Sequence, residues 1–207
     1  MHYAIEFHAH HVAALHFGKR QRLPQGRLLH ITHGMALLRL GSHEQLLSPG
    51  ALFWLPADCL ATFIPLRDCR WQELLLSLRH PQPSQSGWLH ATPLLKALLD
   101  TLTDWTREPE WQGAYGDRLR VLADELQQHE LSTQPPYSAL QQEWQALRQG
   151  IAPQEVSEEL AALAAQWRLI RADRLLKGGN PLTQVVAQLG YGNESAWQDE
   201  LNFWCTC

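Results

Sequence analysis

Residues 166–204 read QWRLIRADRLLKGGNPLTQVVAQLGYGNESAWQDELNFW, and the interpretation of this stretch decides how the rest of the chain is read. Trp167, Ile170, Leu175 and Leu176 recur at helical spacing, and Gly178-Gly179 stops that helix. Asn180 and Pro181 then offer a cap and a first-turn proline for a second helix. Its apolar face is Leu182, Val185, Val186 and Leu189. Gly190 suits a left-handed C-cap, Tyr191 follows, and Asn193 caps a third helix. Two short helices joined by a turn containing glycine have the form of a helix-turn-helix. A small hairpin that merely covers a core shares the pattern.

Upstream the composition is that of a globular chain. Of 207 residues, 45% are apolar and 18% charged, enough to build a core in one large domain or two small ones. No apolar run reaches the length of a membrane span, and the start, MHYAIEFHAHH, lacks a signal-peptide pattern. Cys59, Cys69, Cys205 and Cys207 have neither zinc-site nor disulfide-framework spacing, so a cytoplasmic location is expected. Charge is uneven. Residues 1–90 carry 8 Lys/Arg against 5 Asp/Glu, a net of +3, whereas 91–207 carry 9 against 16, a net of −7. All 11 histidines lie at or before His129. Two differently built halves follow.

From Ala4 to about Leu78, short apolar runs such as LLHITHG, MALLRLGS, ALFWLPAD and LATFIPL are punctuated by Gly34, Gly41-Ser42, Pro49-Gly50 and Pro56-Ala57-Asp58. Many short strands at even spacing predict a barrel or sandwich over residues 1–80. Residues 79–87, RHPQPSQSG, form a polar loop. Helices are predicted from Thr92-Pro93, over 116–128, over 139–149, and again after Pro153. The fold class expected is thus α+β, with an N-terminal β-barrel or sandwich, an all-α connector over 88–150 and a helix-turn-helix region over 153–207.

LTQVVAQLGYGNESAW resembles the second helix-turn-helix of the AraC/XylS transcription regulators. The resemblance lies in the Thr-x-x-Val-Ala helix, the Gly-Tyr turn and the Ser-Ala-aromatic start of the recognition helix. QWRLIRADRLL is similar to that family's linker helix. The resemblance implies a cupin-like effector-sensing barrel and DNA contacts from Thr183, Asn193, Ser195, Ala196, Trp197 and Gln198. Ala196 and Trp197 are expected to pack rather than read bases. It also implies that the leucine-lined helices after the barrel dimerise, with covering of an open barrel side as the competing role. Effector contacts are expected in the barrel interior, with His8, His10, Arg39 and Trp54 as candidates. A small-molecule effector, DNA, and a second copy or an intact paralogue are the expected partners. No membrane partner is expected.

The chain departs from the family pattern in three ways. VSEELAALA (residues 156–164) resembles the supporting helix of a first helix-turn-helix but runs almost directly into the linker-like helix, leaving no room for a first recognition helix. Residues 178–207 contain no Lys or Arg, while Glu194, Asp199 and Glu200 are acidic. Phosphate contacts supply much of the affinity for DNA, so an acidic reader works against it. FWCTC, finally, falls short of the expected closing helix and should leave Phe203 and Trp204 with little cover. A relative that has lost autonomous DNA binding and modulates a partner is therefore an alternative.

No nucleophile elbow, phosphate loop or metalloprotease helix is present, so no catalytic residues, cofactor or enzymatic activity are expected. The histidines at 8, 10, 11 and 16, with His43 and Glu44, suggest a metal-dependent cupin enzyme as a further alternative, but their spacing does not match the metal-binding pattern cleanly. No metal site is assigned. His30 and His33 are expected at an exposed strand end.

Overall fold

The structure, a computed structural model, describes residues 4–151 and 156–206. Among the described residues, eight strands precede six helices. The strands are β1 (Ile5–Val12), β2 (Gly26–His33), β3 (Ala36–Leu40), β4 (His43–Leu47), β5 (Leu52–Leu55), β6 (Ala61–Pro65), β7 (Cys69–Leu76) and β8 (Gly87–Leu89). The helices are α1 (Pro93–Thr103), α2 (Ala114–Gln128), α3 (Ala139–Arg148), α4 (Glu158–Lys177), α5 (Leu182–Gln188) and α6 (Glu194–Cys205). None of the described helices is long and apolar enough to cross a membrane. The start expected near Pro153 for the last domain lies outside the described residues.

The strands form a five-stranded sheet, ordered β1-β7-β2-β5-β8, and a three-stranded sheet, ordered β4-β3-β6. β2 pairs antiparallel with both β7 and β5, setting Leu28 opposite Leu74 and Trp54, and Leu29 opposite Glu73 and Phe53. Side chains alternate along a strand, so each paired row belongs to one face. Gly34 closes the turn after β2 at φ +66°, and a Cβ there would lie 2.6 Å from the Asp68 carbonyl oxygen. Only glycine meets both conditions. β8 spans the expected boundary between the polar loop ending at Gly87 and the all-α connector beginning at 88, where the sequence predicts no strand. Three residues are too few for a periodic signal, and its place is set by long-range pairing with β5 and by the Phe53–Trp88 edge contact at 4.9 Å.

One face of the larger sheet is apolar and covered by helices. Leu28, Leu52, Trp54, Leu74, Leu76 and Leu89 pack with Leu95, Leu99 and Leu102 of α1 and Leu119, Leu122 and Leu126 of α2. Of the two roles open to these leucines, covering the sheet is the one their buried faces perform. Leu94 and Val121 remain exposed on the outer side. Thr92 starts α1 by accepting a hydrogen bond from the Leu95 amide, with Pro93 in the first turn, as its sequence predicts.

The chain divides into two compact units. The first comprises Met1–His11, Lys19–Phe63 and Asp68–Pro136; the second comprises Val12–Gly18, Ile64–Arg67 and Tyr137–Cys207. α1 and α2 share the core of the β unit, whereas α3 falls in the helical unit with α4, α5 and α6.

In the helical unit, Ser138 caps α3, and Ser157 caps α4 through the Leu160 amide. Glu158 and Glu159 begin α4, and Arg174 and Lys177 end it, which suits the helix dipole. α4 is one uninterrupted helix of 20 residues, so EELAALA and QWRLIRADRLL lie on a single rod. Asn180 does not cap α5. Pro181 stands at that position, and the Asn180 side-chain amide instead donates to Leu175 O at 2.9 Å, closing the end of α4.

Trp54 is fully buried and its indole donates to Pro83 O at 2.9 Å. Trp54→Ala is expected to lower the unfolding free energy by about 3–5 kcal/mol. Urea denaturation followed by tryptophan emission measures this, and a loss below about 1 kcal/mol would remove Trp54 from the core.

Candidate functional site

The second face of the larger sheet has a different chemistry. Arg27 on β2 and Glu73 on β7 are diagonal neighbours, two residues apart in register, and both point to the inner face shared with Phe63 on β6. The Arg27 guanidinium forms an ion pair with Glu73 and sits 5.1 Å from the Phe63 ring centre. His10 on β1 reaches the other carboxylate oxygen at 3.0 Å and stacks on Trp71 with ring centres 4.7 Å apart. Trp71 meets Phe63 edge-on at 5.2 Å. Arg27 and Glu73 are only 11% and 9% exposed through their side chains. The cluster is a buried ion pair bracketed by three rings.

Burial pushes the Glu73 carboxyl upward, but the hydrogen bond from His10 and the positive charge of Arg27 outweigh it, and its pKa falls below the usual value. Glu73 is therefore an anion held by two donors. A guanidinium among aromatic rings offers a planar, directional partner for a polar ligand group that displaces or joins the carboxylate.

Of the four residues predicted for effector contact, only His10 joins this cluster. His8 is exposed, with Nε2 3.6 Å from Glu6 Oε2 and its ring 5.9 Å from that of His10. Arg39 lies at the β3–β4 hairpin, where Nε donates to Gly41 O at 3.0 Å. Trp54 sits on the helix-covered face rather than the barrel interior, because it shares the strand phase of Leu52 and not that of Phe53. Arg27, Glu73, Trp71 and Phe63 are not among the effector contacts expected from sequence. Strand alternation over 27–33 and 69–76 is the signal, since it sets Arg27 and Glu73 on the side opposite Leu28, Leu74 and Leu76.

The remaining histidines divide between the faces. His30, expected to be exposed, is buried; its Nδ1 lies 2.6 Å from Gln72 Oε1, and Gln72 donates in turn to Asp100 and Thr103 of α1. Burial lowers its pKa. His33 is exposed, as expected, and shares the Asp68 carboxylate with His11 at 3.1 and 2.9 Å. Among the described residues, no group of three or more His, Cys, Asp or Glu side chains is placed to hold a metal ion.

The second candidate region is α4–α5–α6. Gly190 takes φ +75° between α5 and α6, and Asn193 caps α6 by accepting from the Ala196 amide at 2.8 Å. Val185 and Leu189 pack on Ala172 of α4, with Trp197 and Tyr191 against them. Trp197 is therefore a packing residue. Ala196, expected to pack, is exposed, as are Thr183, Asn193, Ser195, Gln198 and Asn202. Gln198 and Asn202 hydrogen-bond each other at 3.0 Å, one turn apart along α6.

Glu200 belongs to a different face from these polar residues. Arg168 of α4 donates to its carboxylate at 2.6 Å, the Tyr191 hydroxyl donates to its other oxygen, and the Arg168 guanidinium lies 4.5 Å from the Tyr191 ring centre. Burial and this carboxylate raise the Tyr191 pKa well above the usual phenol value, so the hydroxyl stays a donor. Phe203 and Trp204 are less bare than their sequence suggests. Phe203 is 60% exposed, but Arg67 lies 4.8 Å from its ring centre and donates to its carbonyl, and the Leu15 amide donates to Trp204 O at 2.8 Å.

Residues 2–170 match the family model described as the AraC-like ligand binding domain. No curated protein sequence matches the chain. Among solved structures, the chain is similar to ToxT from Vibrio cholerae, at 8% identity and a TM-score of 0.40, covering 99% of this chain and 96% of that one. It is also similar to a cupin superfamily protein from Desulfitobacterium hafniense, at 14% identity and a TM-score of 0.33, covering 37% of this chain and 71% of that one.

Two outcomes test this geometry. Because the folded pKa of Glu73 lies below its usual 4.5, its contribution is present above that pH and disappears as pH falls through the folded value. Glu73→Gln removes this acid limb from the stability–pH curve and, by stranding buried Arg27, costs about 3–5 kcal/mol near neutrality. Denaturant midpoints across pH measure both. Glu200→Gln is expected to weaken α6 docking by about 1–3 kcal/mol. Amide exchange should then accelerate over 196–205 while that of 160–175 holds; equal change in both segments would refute the local lock.

Proposed function

The chain belongs to the AraC-like ligand binding domain family, and on that premise we propose that it is a transcription regulator that senses a small-molecule effector and binds DNA through α6. Effector contacts are assigned to the inner face of the β unit, at Arg27, Glu73 and His10 between Trp71 and Phe63. The effector is a small polar molecule that pairs with Arg27. The exposed faces of α5 and α6 supply the DNA contacts: Thr183, Asn193, Ser195 and Gln198, with Asn202 added to the residues expected from sequence. Asn and Gln amides match the donor and acceptor pair on adenine.

The observation that carries this reading is the inward lock of Glu200 on Arg168 and Tyr191. It removes one of three acidic groups from the DNA-facing side and leaves Asn193, Ser195, Gln198 and Asn202 exposed beside Glu194 and Asp199. Phosphate contacts then come from α4, where Arg171 and Lys177 are exposed. A dimer, formed through the outer faces of α1 and α2 with Leu94 and Val121, would double these contacts.

A second reading is favoured by a specific pair of observations. α4 is continuous where a first recognition helix would interrupt it, and 178–207 lack any cationic side chain. These fit a modulatory subunit that pairs with an intact paralogue and borrows its DNA affinity. Titration of purified protein against its own upstream DNA across a salt series, with a random duplex as control, separates the two. Specific binding, reduced about tenfold by Gln198→Ala, is expected for the regulator. Arg171→Ala should weaken binding to every duplex and lower the salt slope by about one. Equal or absent binding to both duplexes supports the modulatory subunit.

A further inference from the structure

A pocket of about 370 Å³ lies in the helical unit, between α3, α4 and α5. Its volume falls at the lower end of the range of small-molecule sites. α4 supplies one wall. Ala161, Ala164, Ala165, Arg168 and Arg171 recur every three or four residues and so share one face of that helix, with Trp167 at its edge. Leu147 of α3 and Leu189 at the end of α5 close the sides. The short alanine side chains leave the space that longer ones would fill.

Two arginines line this pocket, and only one has its charge matched. Arg168 is paired with Glu200. Arg171 is exposed and, among the described residues, has no carboxylate partner. Its guanidinium lies 5.0 Å from the centre of the Trp167 ring, and both side chains line the pocket. Gln188 of α5 lines it too, exposed and without a hydrogen bond from its amide to any described residue. No lining residue is Asp or Glu. A mostly apolar surface thus meets one unmatched planar cation and one neutral amide. A guanidinium pairs with a carboxylate through two parallel N–H···O bonds, a geometry that no other side chain reproduces.

We propose that this pocket binds a small organic acid, its apolar body seated on the alanine face of α4 and its carboxylate paired with Arg171. A cationic ligand would be repelled by Arg171, and a neutral one would forgo the ion pair. Arg171 is also the phosphate contact assigned above, so an anion on its guanidinium has two sources, a free acid or the DNA backbone. The apolar surface tells them apart: a free acid buries its body there, and a backbone phosphate has no such body to bury. Binding of the acid does not rest on the DNA reading, and the pocket is separate from the Arg27–Glu73 cluster of the β unit.

Sodium cinnamate is the probe, with cinnamamide as its neutral counterpart and inorganic phosphate as an anion without an apolar body. The full chain is labelled with ¹⁵N and the tryptophan indole resonances are followed on titration, Trp167 being assigned through Trp167→Phe. Saturable movement of the Trp167 resonance is expected with cinnamate, with binding about tenfold weaker for cinnamamide and weaker by about tenfold or more for phosphate. Arg171→Gln is expected to reduce cinnamate affinity about tenfold and to leave cinnamamide affinity unchanged. Ala161→Leu, at an exposed helical position that tolerates leucine, fills the pocket and is expected to abolish binding of both. These two surface variants carry the test if Trp167→Phe does not fold. Equal affinity for cinnamate and cinnamamide, or binding retained in Ala161→Leu, overturns the proposal. Undiminished cinnamate affinity in Arg171→Gln also overturns it, by placing the acid elsewhere, as beside Arg27, without touching the effector reading. Phosphate binding as tight as that of cinnamate would make Arg171 a backbone contact alone and overturn the site while leaving the DNA reading intact.

Discussion

Antiparallel pairing of β2 with β7 and β5 is the constraint from which the β unit follows. A strand turns successive side chains to opposite faces, so once Leu28 is set beside Leu74 and Trp54, Arg27, Leu29 and Glu73 must share the other side. The leucine face needs a cover, and α1 and α2 provide it. The opposite face is closed by the smaller sheet, and there Arg27 and Glu73 would be costly as single buried charges. Their mutual pairing, the His10 hydrogen bond and the three surrounding rings make that burial tolerable. One register therefore creates both the core that holds the unit together and the polar cluster best suited to meet a ligand.

The helical unit solves a different problem with similar means. α6 has no buried residue among those described, and α5 spans seven residues. Helices this short depend on packing for their stability. Val185, Leu189 and Trp197 supply an apolar seam on α4, and the Arg168–Tyr191–Glu200 group sets the orientation beside it. An acidic residue that looks hostile to DNA in the sequence becomes a structural anchor, and its charge is spent within the protein. Ion pairs on an exposed surface contribute little, but Glu200 is largely shielded and accepts from two donors, which raises its worth.

Local signals were readable wherever chemistry and position coincide. Thr92-Pro93, Gly178-Gly179, Gly190 and Asn193 announce helix ends because caps and turns need particular side chains or φ values, and the structure uses each of them. Asn180 is the instructive exception. Its amide had two helix ends within reach, the end of α4 and the start of α5, and sequence spacing does not choose between them. β8 and the burial of His30 were illegible for another reason. Both follow from partners far along the chain, β5 and Gln72, that no local window contains.

By itself the sequence determined the class of the molecule: a strand-rich first half, a helical second half, leucine faces of helical period, and the turn between α5 and α6. Periodicity and capping are local properties, and they survive being read without coordinates. Only the tertiary structure decided which side chains meet. It moved Trp54 to the helix-covered face and brought Arg27, Glu73, Trp71 and Phe63 to His10. It also turned Glu200 inward. Each of these depends on strand register or on helix rotation about its axis. A shift of one residue in either would send the same side chains to the opposite side, and the energies that forbid the shift come from packing across the whole unit.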